Sequence, residues 1–159
     1  MIDKDTFCRL VRQNEKAMYS VSFSILSNES DAADAISEAL YRAYKNLDTL
    51  KNEYAFKPWI LRIVRNCAVE LVRGNKNLLS IDDVEVEESS GENDIVTALT
   101  LRKAVEQLKQ PYKEVVVLYY YEDLSIAQIS KITGASVVTT KQQLSRARKM
   151  LRDMLMETF

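Results

Sequence analysis

Residues 124–151 read LSIAQISKITGASVVTTKQQLSRARKML, and this stretch decides the fold of the C-terminal part of the chain. Ser125 and Gln128 have the Ser-x-x-Gln spacing of a capping box, which predicts that a short helix begins there. Gly134 suits the left-handed backbone that ends a helix. A longer helix, about Val138–Met156, follows the turn. A short helix, a glycine-containing turn and a longer basic helix form the pattern of a helix-turn-helix.

The longer helix carries a polar face of the kind that contacts DNA. Between Ser125 and Arg152 the chain has six basic residues and no acidic one. Helical spacing groups five polar side chains on one face: Lys141, Gln142, Ser145, Arg146 and Lys149. It places three apolar ones opposite: Leu144, Ala147 and Leu151. In the major groove Arg pairs with guanine and Gln with adenine, while Lys neutralises phosphate. Taken alone, this face has an alternative interpretation as the solvated side of a terminal helix.

Composition excludes several classes of protein. The 159 residues are 47% hydrophobic and 28% charged with a net charge of −1, as in ordinary globular proteins. There is no histidine, and Cys8 and Cys67 lack C-x-x-C spacing, so neither a zinc knuckle nor a disulfide framework is expected. No carboxylate pair has a companion base or a phosphate loop, so we expect no enzyme activity and no metal or cofactor. A charged N-terminus and the lack of an 18-residue apolar run predict a cytoplasmic protein.

The domain organisation follows from the helix breakers and the charge pattern. Three glycines and two prolines are too few for many tight turns, so we predict an all-α chain. Seven acidic residues and no basic one lie between Ile81 and Asp94, which predicts a solvated, flexible linker. The prediction is therefore two small helical domains, 1–76 and 95–159, joined by an acidic linker at 77–94.

Three helices are predicted in the first module. One covers residues 3–26. The second covers Asp31–Asp48, with an apolar stripe of Ile36, Leu40, Ala43 and Leu47. The third begins near Pro58, ends at Gly74 and has an inner face of Ile60, Val64, Cys67 and Leu71. In the second module Val115–Tyr121 has strand propensity, but it lacks a partner strand and is predicted to be helical.

The segment before the third helix, residues 51–59, is aromatic and flanked by basic residues. Aromatic faces beside cations suit the unstacked bases of single-stranded nucleic acid. The alternative is that Phe56 and Trp59 simply fill the core of the module.

Three segments resemble bacterial RNA polymerase sigma factors of the extracytoplasmic-function group. They are residues 31–47 (DAADAISEALYRAYKNL), residues 59–73 (WILRIVRNCAVELVR), and residues 124–129 together with 144–151. Each motif is modest alone, but the three occur in the family's order and spacing over nearly the whole chain. The resemblance implies a promoter-specificity subunit whose region 2 binds core polymerase and reads the −10 element, and whose region 4 reads the −35 element.

The resemblance also implies site residues and partners. The surface that meets the coiled coil of the polymerase β′ subunit would comprise Asp31, Asp34, Ser37 and Glu38. The −10 element would be read by the loop at 50–57 and the helix after it, with Asn52, Tyr54, Phe56, Trp59, Arg62 and Arg65. The −35 element would be read by Thr139, Lys141, Gln142, Ser145, Arg146 and Lys149. The implied partners are core RNA polymerase (β′ and β subunits), promoter DNA and an anti-sigma factor, often membrane-anchored.

The chain departs from the family pattern at several positions. Ser37 and Leu40 stand where Gln and Phe are usual, and Val138 and Thr140 where Gly and Val are usual. Gln142-Gln143 replaces a usual Ser-Arg, which favours a shift of the −35 preference toward A·T pairs. Two alternatives stay open: a dimeric helix-turn-helix regulator that acts without polymerase, and a helical adaptor that binds only proteins.

Overall fold

The computed structural model describes the backbone of residues 2–78 and 96–158, and the side chains of 2–74 and 100–157. Within these ranges every regular segment is helical, which confirms the predicted all-α class. The helices are α1 Lys4–Gln13, α2 Glu15–Leu26, α3 Glu29–Lys45, α4 Phe56–Leu78, α5 Val96–Gln107, α6 Tyr112–Val116, α7 Ile126–Thr133 and α8 Val137–Thr158. Short 3-10 turns cover Leu47–Thr49 and Glu53–Ala55, and α6 continues into a π-helical turn, Val117–Tyr121.

The prediction of one helix over residues 3–26 is wrong in one respect: the structure has two helices there, α1 and α2. Asn14 separates α1 from α2 with a φ of −115° and a ψ of 11°. Its side-chain amide donates to the Leu10 carbonyl at 2.8 Å. An asparagine side chain that bonds nearby backbone competes with the helical ladder, which explains the break at this residue.

The predicted end of the third helix at Gly74 is also wrong. Helix α4 passes through Gly74 and continues to Leu78, so Gly74 is an interior residue and not a cap. Residues 77 and 78 of the predicted linker thus extend α4, while 79–94 lie outside the described residues.

The buried stripe of α3 is shifted from the prediction. Ala32, Ala35, Ala39 and Ala43 are all 0% exposed, while Ile36, Leu40 and Leu47 are only partly buried at the edge of the same core. Alanines at spacings of three and four let α3 approach both α2 and α4 closely. The predicted stripe follows the larger side chains, whereas close helix packing selects the smaller ones.

The inner face of α4 is confirmed. Ile60, Val64 and Cys67 are buried and Leu71 is half-buried. Leu61 and Ala68 are buried as well, so α4 has a broad apolar surface.

The helix-turn-helix elements have the predicted local structure. Ser125 and Gln128 form a reciprocal capping box at the start of α7, with bonds of 3.1 and 3.0 Å. Gly134 ends α7 in the left-handed region with a φ of 84°. The segment Val115–Tyr121 is helical as predicted.

The two modules pack against each other, which the sequence patterns did not predict. Four side chains of the C-terminal module belong to the same buried core as those of α2 and α4: Leu118, Leu124, Ile129 and Ile132. Helix α4 therefore contacts α3 and α2 as well as α7. A second, smaller core holds α5, α6 and α8 together through residues such as Val105, Val116 and Ala147.

The two glycines at 74 and 134 predict stability changes of opposite sign. Gly134→Ala should destabilise the protein by roughly 1–2 kcal/mol, because alanine is strained in the left-handed region. Gly74→Ala should stabilise it by about 0.5–1 kcal/mol, because this helix-interior position has nothing within 4 Å of an added Cβ. Urea unfolding followed by circular dichroism measures both, and a stabilising Gly134→Ala would contradict the assignment of the turn.

Candidate nucleic-acid interface

Helix α8 presents the predicted polar row to solvent. Its exposed members are Thr139, Lys141, Gln142, Ser145, Arg146 and Lys149. The opposite side is buried through Leu144, Ala147 and Leu151, as predicted. Because the apolar side anchors the helix against α6 and α7, the cationic and amide side chains face outward over more than two turns.

The first turn of α8 is ordered by a local hydrogen-bond network. Ser136 Oγ accepts from the Thr139 amide at 3.0 Å and donates to Thr139 Oγ1 at 2.9 Å. Thr140 is fully buried and its Oγ1 donates to the Ser136 carbonyl at 2.8 Å. This network holds Val138, which is 65% exposed, beside Thr139 at the outer end of the helix.

Sequence reasoning missed the packing of Arg148. Its Nε donates to Tyr120 Oη at 2.5 Å, and its guanidinium lies 5.6 and 5.7 Å from the ring centroids of Tyr119 and Tyr120. The hydrogen bond to Tyr120 raises the pKa of Arg148. The π-helical turn thus fixes one cation of α8 next to the polar row. The three consecutive tyrosines were the available signal, but their arginine partner is 28 residues away.

The loop between α3 and α4 combines exposed and buried aromatics. Tyr54 is 97% exposed at the tip. Asn52 Oδ1 accepts from the Ala55 amide at 3.1 Å and so shapes the turn below that tip. Trp59 is half-buried, and its indole N–H donates to Thr49 Oγ1 at 3.2 Å. Phe56 is only 1% exposed and lies 5.8 Å from the Trp59 ring, so it fills the core, as the alternative interpretation held.

The two arginines of α4 have different surroundings. Arg62 is exposed to solvent one turn after Trp59. Arg65 is half-buried, and its Nε donates to Glu114 Oε1 of α6 at 2.8 Å. The structure thus places Tyr54, Trp59 and Arg62 at or near the surface of the first module, whereas Arg65 is engaged by the second module.

The outer face of α3 is acidic. Asp34, Ser37 and Glu38 are exposed and Asp31 is half-buried. Arg42 donates to Glu38 at 3.0 Å and makes a bidentate pair with Glu70 of α4 at 3.1 and 2.7 Å. These hydrogen bonds raise the pKa of Arg42, and the bond from Arg42 lowers the pKa of Glu70. Arg42 thereby ties the acidic face to α4.

In the described part of the chain, no group of three or more acidic or cysteine side chains is arranged to hold a metal ion. None of the described helices combines the length and apolar character that a membrane span requires.

The fold and these surfaces define a helix-turn-helix protein with a second helical module. The family models for sigma-70 region 2 and sigma-70 region 4 match residues 10–77 and 98–151. The chain is 31% identical over 170 residues to the ECF RNA polymerase sigma factor SigW of Bacillus subtilis, covering 96% of this chain and 90% of that protein. It is 30% identical to the sigma factor SigV of the same organism, covering 89% and 86%. The chain therefore belongs to the ECF RNA polymerase sigma factor family.

Solved structures support the fold. The sigma factor RpoE of Bartonella quintana, in complex with the anti-sigma factor NepR, superposes with a TM-score of 0.75 at 23% identity, covering 96% of this chain and 98% of that one. CnrH, in complex with the cytosolic domain of CnrY, gives a TM-score of 0.69 at 21% identity, covering 96% and 89%.

The hydrogen bonds that Arg42 donates to Glu38 and Glu70 predict a change in the titration of Glu70 when Arg42 is replaced. Arg42→Gln should raise the pKa of Glu70 back toward its ordinary 4.5, because the bidentate donor is lost. A carboxylate whose folded-state pKa is lowered adds stability above its unfolded pKa and loses that contribution as pH falls through the lowered value. The stability difference between the wild type and the variant should therefore vanish in acid. Carbon-13 NMR of the Glu70 carboxyl measures the titration, and Lys45→Gln, which removes a cation of α3 that pairs with Tyr41, is the control.

Proposed function

We propose that the protein binds core RNA polymerase through α3 and directs it to promoters that it reads at two separate elements. Helix α8 reads the −35 element in the major groove. The loop at 50–57 and the adjoining face of α4 capture an unstacked base of the −10 element. The protein performs no chemistry itself, and it acts in the cytoplasm, where polymerase and DNA are.

The observation that carries this proposal is the exposed row on α8, opposite a buried apolar side and preceded by a capped helix and a left-handed glycine. A helix held this way enters the major groove with its N-terminal residues toward the bases. Arg146 suits guanine and Gln142 suits adenine, while Lys141 and Lys149 suit phosphates. The exposed Val138 adds an apolar contact suited to a thymine methyl group.

The loop at 50–57 and the adjoining face of α4 hold an unstacked −10 base by stacking it on aromatic side chains. Unpairing a base costs a few kcal/mol, which stacking on an aromatic side chain and contacts with cations offset. Tyr54 and Trp59 supply ring faces, and Arg62 supplies an exposed charge beside them. Phe56 supports Trp59 from the core and does not itself contact a base.

The acidic face of α3 is the proposed contact with the polymerase β′ subunit. Asp34 and Glu38 lie one turn apart on it with Ser37 between them, and Arg42 steadies the Glu38 carboxylate. We also propose an anti-sigma factor as the regulatory partner, since RpoE was solved in complex with an anti-sigma factor and CnrH in complex with the cytosolic domain of CnrY.

A dimeric regulator that works without polymerase is the competing interpretation. It would leave the acidic face of α3 and the exposed loop around Tyr54 without a role. Native mass spectrometry separates the two, because a helix-turn-helix repressor that reads a two-fold symmetric site is a dimer.

The central test is transcription from purified components. Core polymerase supplemented with the wild-type chain should produce run-off transcripts from a genomic template library. Within this assay Arg146→Ala should lose roughly 1–3 kcal/mol of promoter discrimination, because a bidentate base contact is removed. Arg12→Ala, an exposed arginine of α1, is the matched control and should leave promoter choice unchanged. Absence of transcripts across the library would overturn the proposal, and unaltered promoter preference would remove Arg146 from base readout.

Polymerase binding gives a second prediction. Asp34→Arg should weaken affinity for core polymerase by about tenfold or more, because a charge of the wrong sign then faces the partner. Asp48→Arg makes the same charge change outside α3 and should leave the affinity unaltered. Biolayer interferometry with immobilised core enzyme measures both. Equal affinity of the two variants would place the polymerase contact elsewhere.

A further inference from the structure

We propose that Arg148 binds a phosphate of the DNA backbone beside the −35 element, and that Tyr120 is the positioning residue that holds it ready for that contact. This inference rests on the proposed function. It adds two residues to the DNA-binding surface, one of which lies outside the helix-turn-helix. It assigns them a contact with the backbone and not with the bases.

Arg148 lies at the edge of the polar row of α8. Spacings of i, i+4, i+7 and i+11 place Lys141, Ser145, Arg148 and Arg152 in one stripe along the helix. Arg148 and Arg152 belong to the half of this stripe that is farther from the turn. The N-terminal residues of a recognition helix contact base edges, and in homeodomains the C-terminal end of that helix contacts the backbone. The position of Arg148 therefore favours a phosphate over a base.

The surface around Arg148 has the charge that an anion requires. A cleft of about 470 Å³ lies along this part of α8, and its lining residues are Ser145, Arg146, Arg148, Lys149 and Arg152. Within the described part of the chain, no acidic side chain lines this cleft, and none of its four cations makes an ion pair. Four uncompensated positive charges around one hydroxyl suit the phosphates that duplex DNA presents.

The π-helical turn Val117–Tyr121 sets two consecutive tyrosines against Arg148. The rings of Tyr119 and Tyr120 meet edge to face, with centroids 4.9 Å apart and an interplanar angle of 78°, and the guanidinium lies over both. Tyr119 also packs against the main core, which anchors the pair. Single π-helical turns are rare and occur frequently at functional sites.

The hydrogen bond to Tyr120 leaves the outer end of Arg148 free. Its Nε donates to Tyr120 Oη, whereas Nη1 and Nη2 donate to no other described residue. The planar fork of a guanidinium binds two phosphate oxygens at once when it is correctly oriented. Because Tyr120 already fixes one edge of the fork, less side-chain freedom is lost when the phosphate binds.

The experiment measures how strongly the binding of duplex DNA depends on salt. Fluorescence anisotropy follows the full-length protein on labelled duplexes of random sequence while the potassium chloride concentration is varied. Arg148→Gln should lower the slope of log K against log salt concentration by about one, because one phosphate contact is lost. Binding at low salt should weaken by about tenfold, equally on A·T-rich and G·C-rich duplexes, since a phosphate contact carries no sequence information. Arg12→Gln, which removes an exposed cation of α1, is the matched control and should change neither quantity.

Tyr120→Phe tests the positioning role, because it removes the hydroxyl and keeps the ring. Binding should weaken by about threefold with an unchanged salt slope, since Arg148 still reaches the phosphate but is no longer held for it. In an Arg148→Gln background the same change should have no effect, because the two residues act as one unit. Tyr121→Phe makes the same substitution at the neighbouring exposed tyrosine and should leave the affinity unaltered.

Each failure has its own signature. An unchanged slope for Arg148→Gln would overturn the phosphate contact, and an equal effect of Tyr120→Phe with and without Arg148 would overturn the positioning role. Circular dichroism checks that each variant is folded. Should Arg148→Gln be unfolded, Arg148→Lys replaces it: the charge and the slope remain, but the fork is lost and binding should weaken by about threefold. Unaltered binding of that variant would contradict the contact.

The proposed function fails in a different way. A wild type that binds no duplex even at low salt would overturn the −35 reading by α8 together with the contact of Arg148. Absence of run-off transcripts while duplex binding and its salt slope behave as expected would overturn the proposed function alone.

Discussion

The packing of α4 on both sides is the constraint on which the rest of the structure depends. Its buried residues, among them Ile60, Leu61 and Val64, contact α2 and α3 on one side and α7 on another. Each fully buried aliphatic side chain contributes about 1.5–3 kcal/mol, and α4 contributes several of these to the main core. The loop with Tyr54 is positioned because Phe56 anchors the start of α4, and the acidic face of α3 is positioned because four alanines seat that helix directly on α2 and α4.

Orientation of the second module depends on short-range polar chemistry. A capping box begins α7, a left-handed glycine ends it, and Ser136 organises the first turn of α8. These capping and turn interactions determine where α8 starts and so which of its side chains face outward. Ala147 and Leu151 then hold that orientation against the small core of α5 and α6. The exposed polar row is the consequence of this anchoring, in the same way that the exposed tip at Tyr54 follows from the burial of Phe56.

Local features were predictable and long-range ones were not. The capping box, the glycine turn, the two-sided pattern of α8 and the helical state of Val115–Tyr121 follow from residue types and spacings within one or two turns. The predictions of one continuous helix over residues 3–26 and of a helix end at Gly74 are wrong because asparagine and glycine occur both inside helices and at their ends, and neighbouring structure selects between the two. The alanine stripe of α3 was missed because hydrophobicity alone favours Ile36 and Leu40, whereas close packing favours small side chains. Contacts such as Arg65–Glu114 and Arg148–Tyr120 join residues 49 and 28 positions apart, and periodicity carries no information on such pairs.

The boundary between the modules combines polar and apolar contacts. An interface made only of apolar side chains would be difficult to open, because the full transfer cost of that surface would have to be met at once. Here part of the contact is polar: it consists of a charged pair and of hydrogen bonds that Gln110 and Lys57 donate to the Ser24 and Glu122 carbonyls, and water can replace such bonds. The apolar part, centred on Ile129 and Ile132, favours closure until another surface covers it. The balance between these two parts, and not either alone, determines how firmly the two modules hold together.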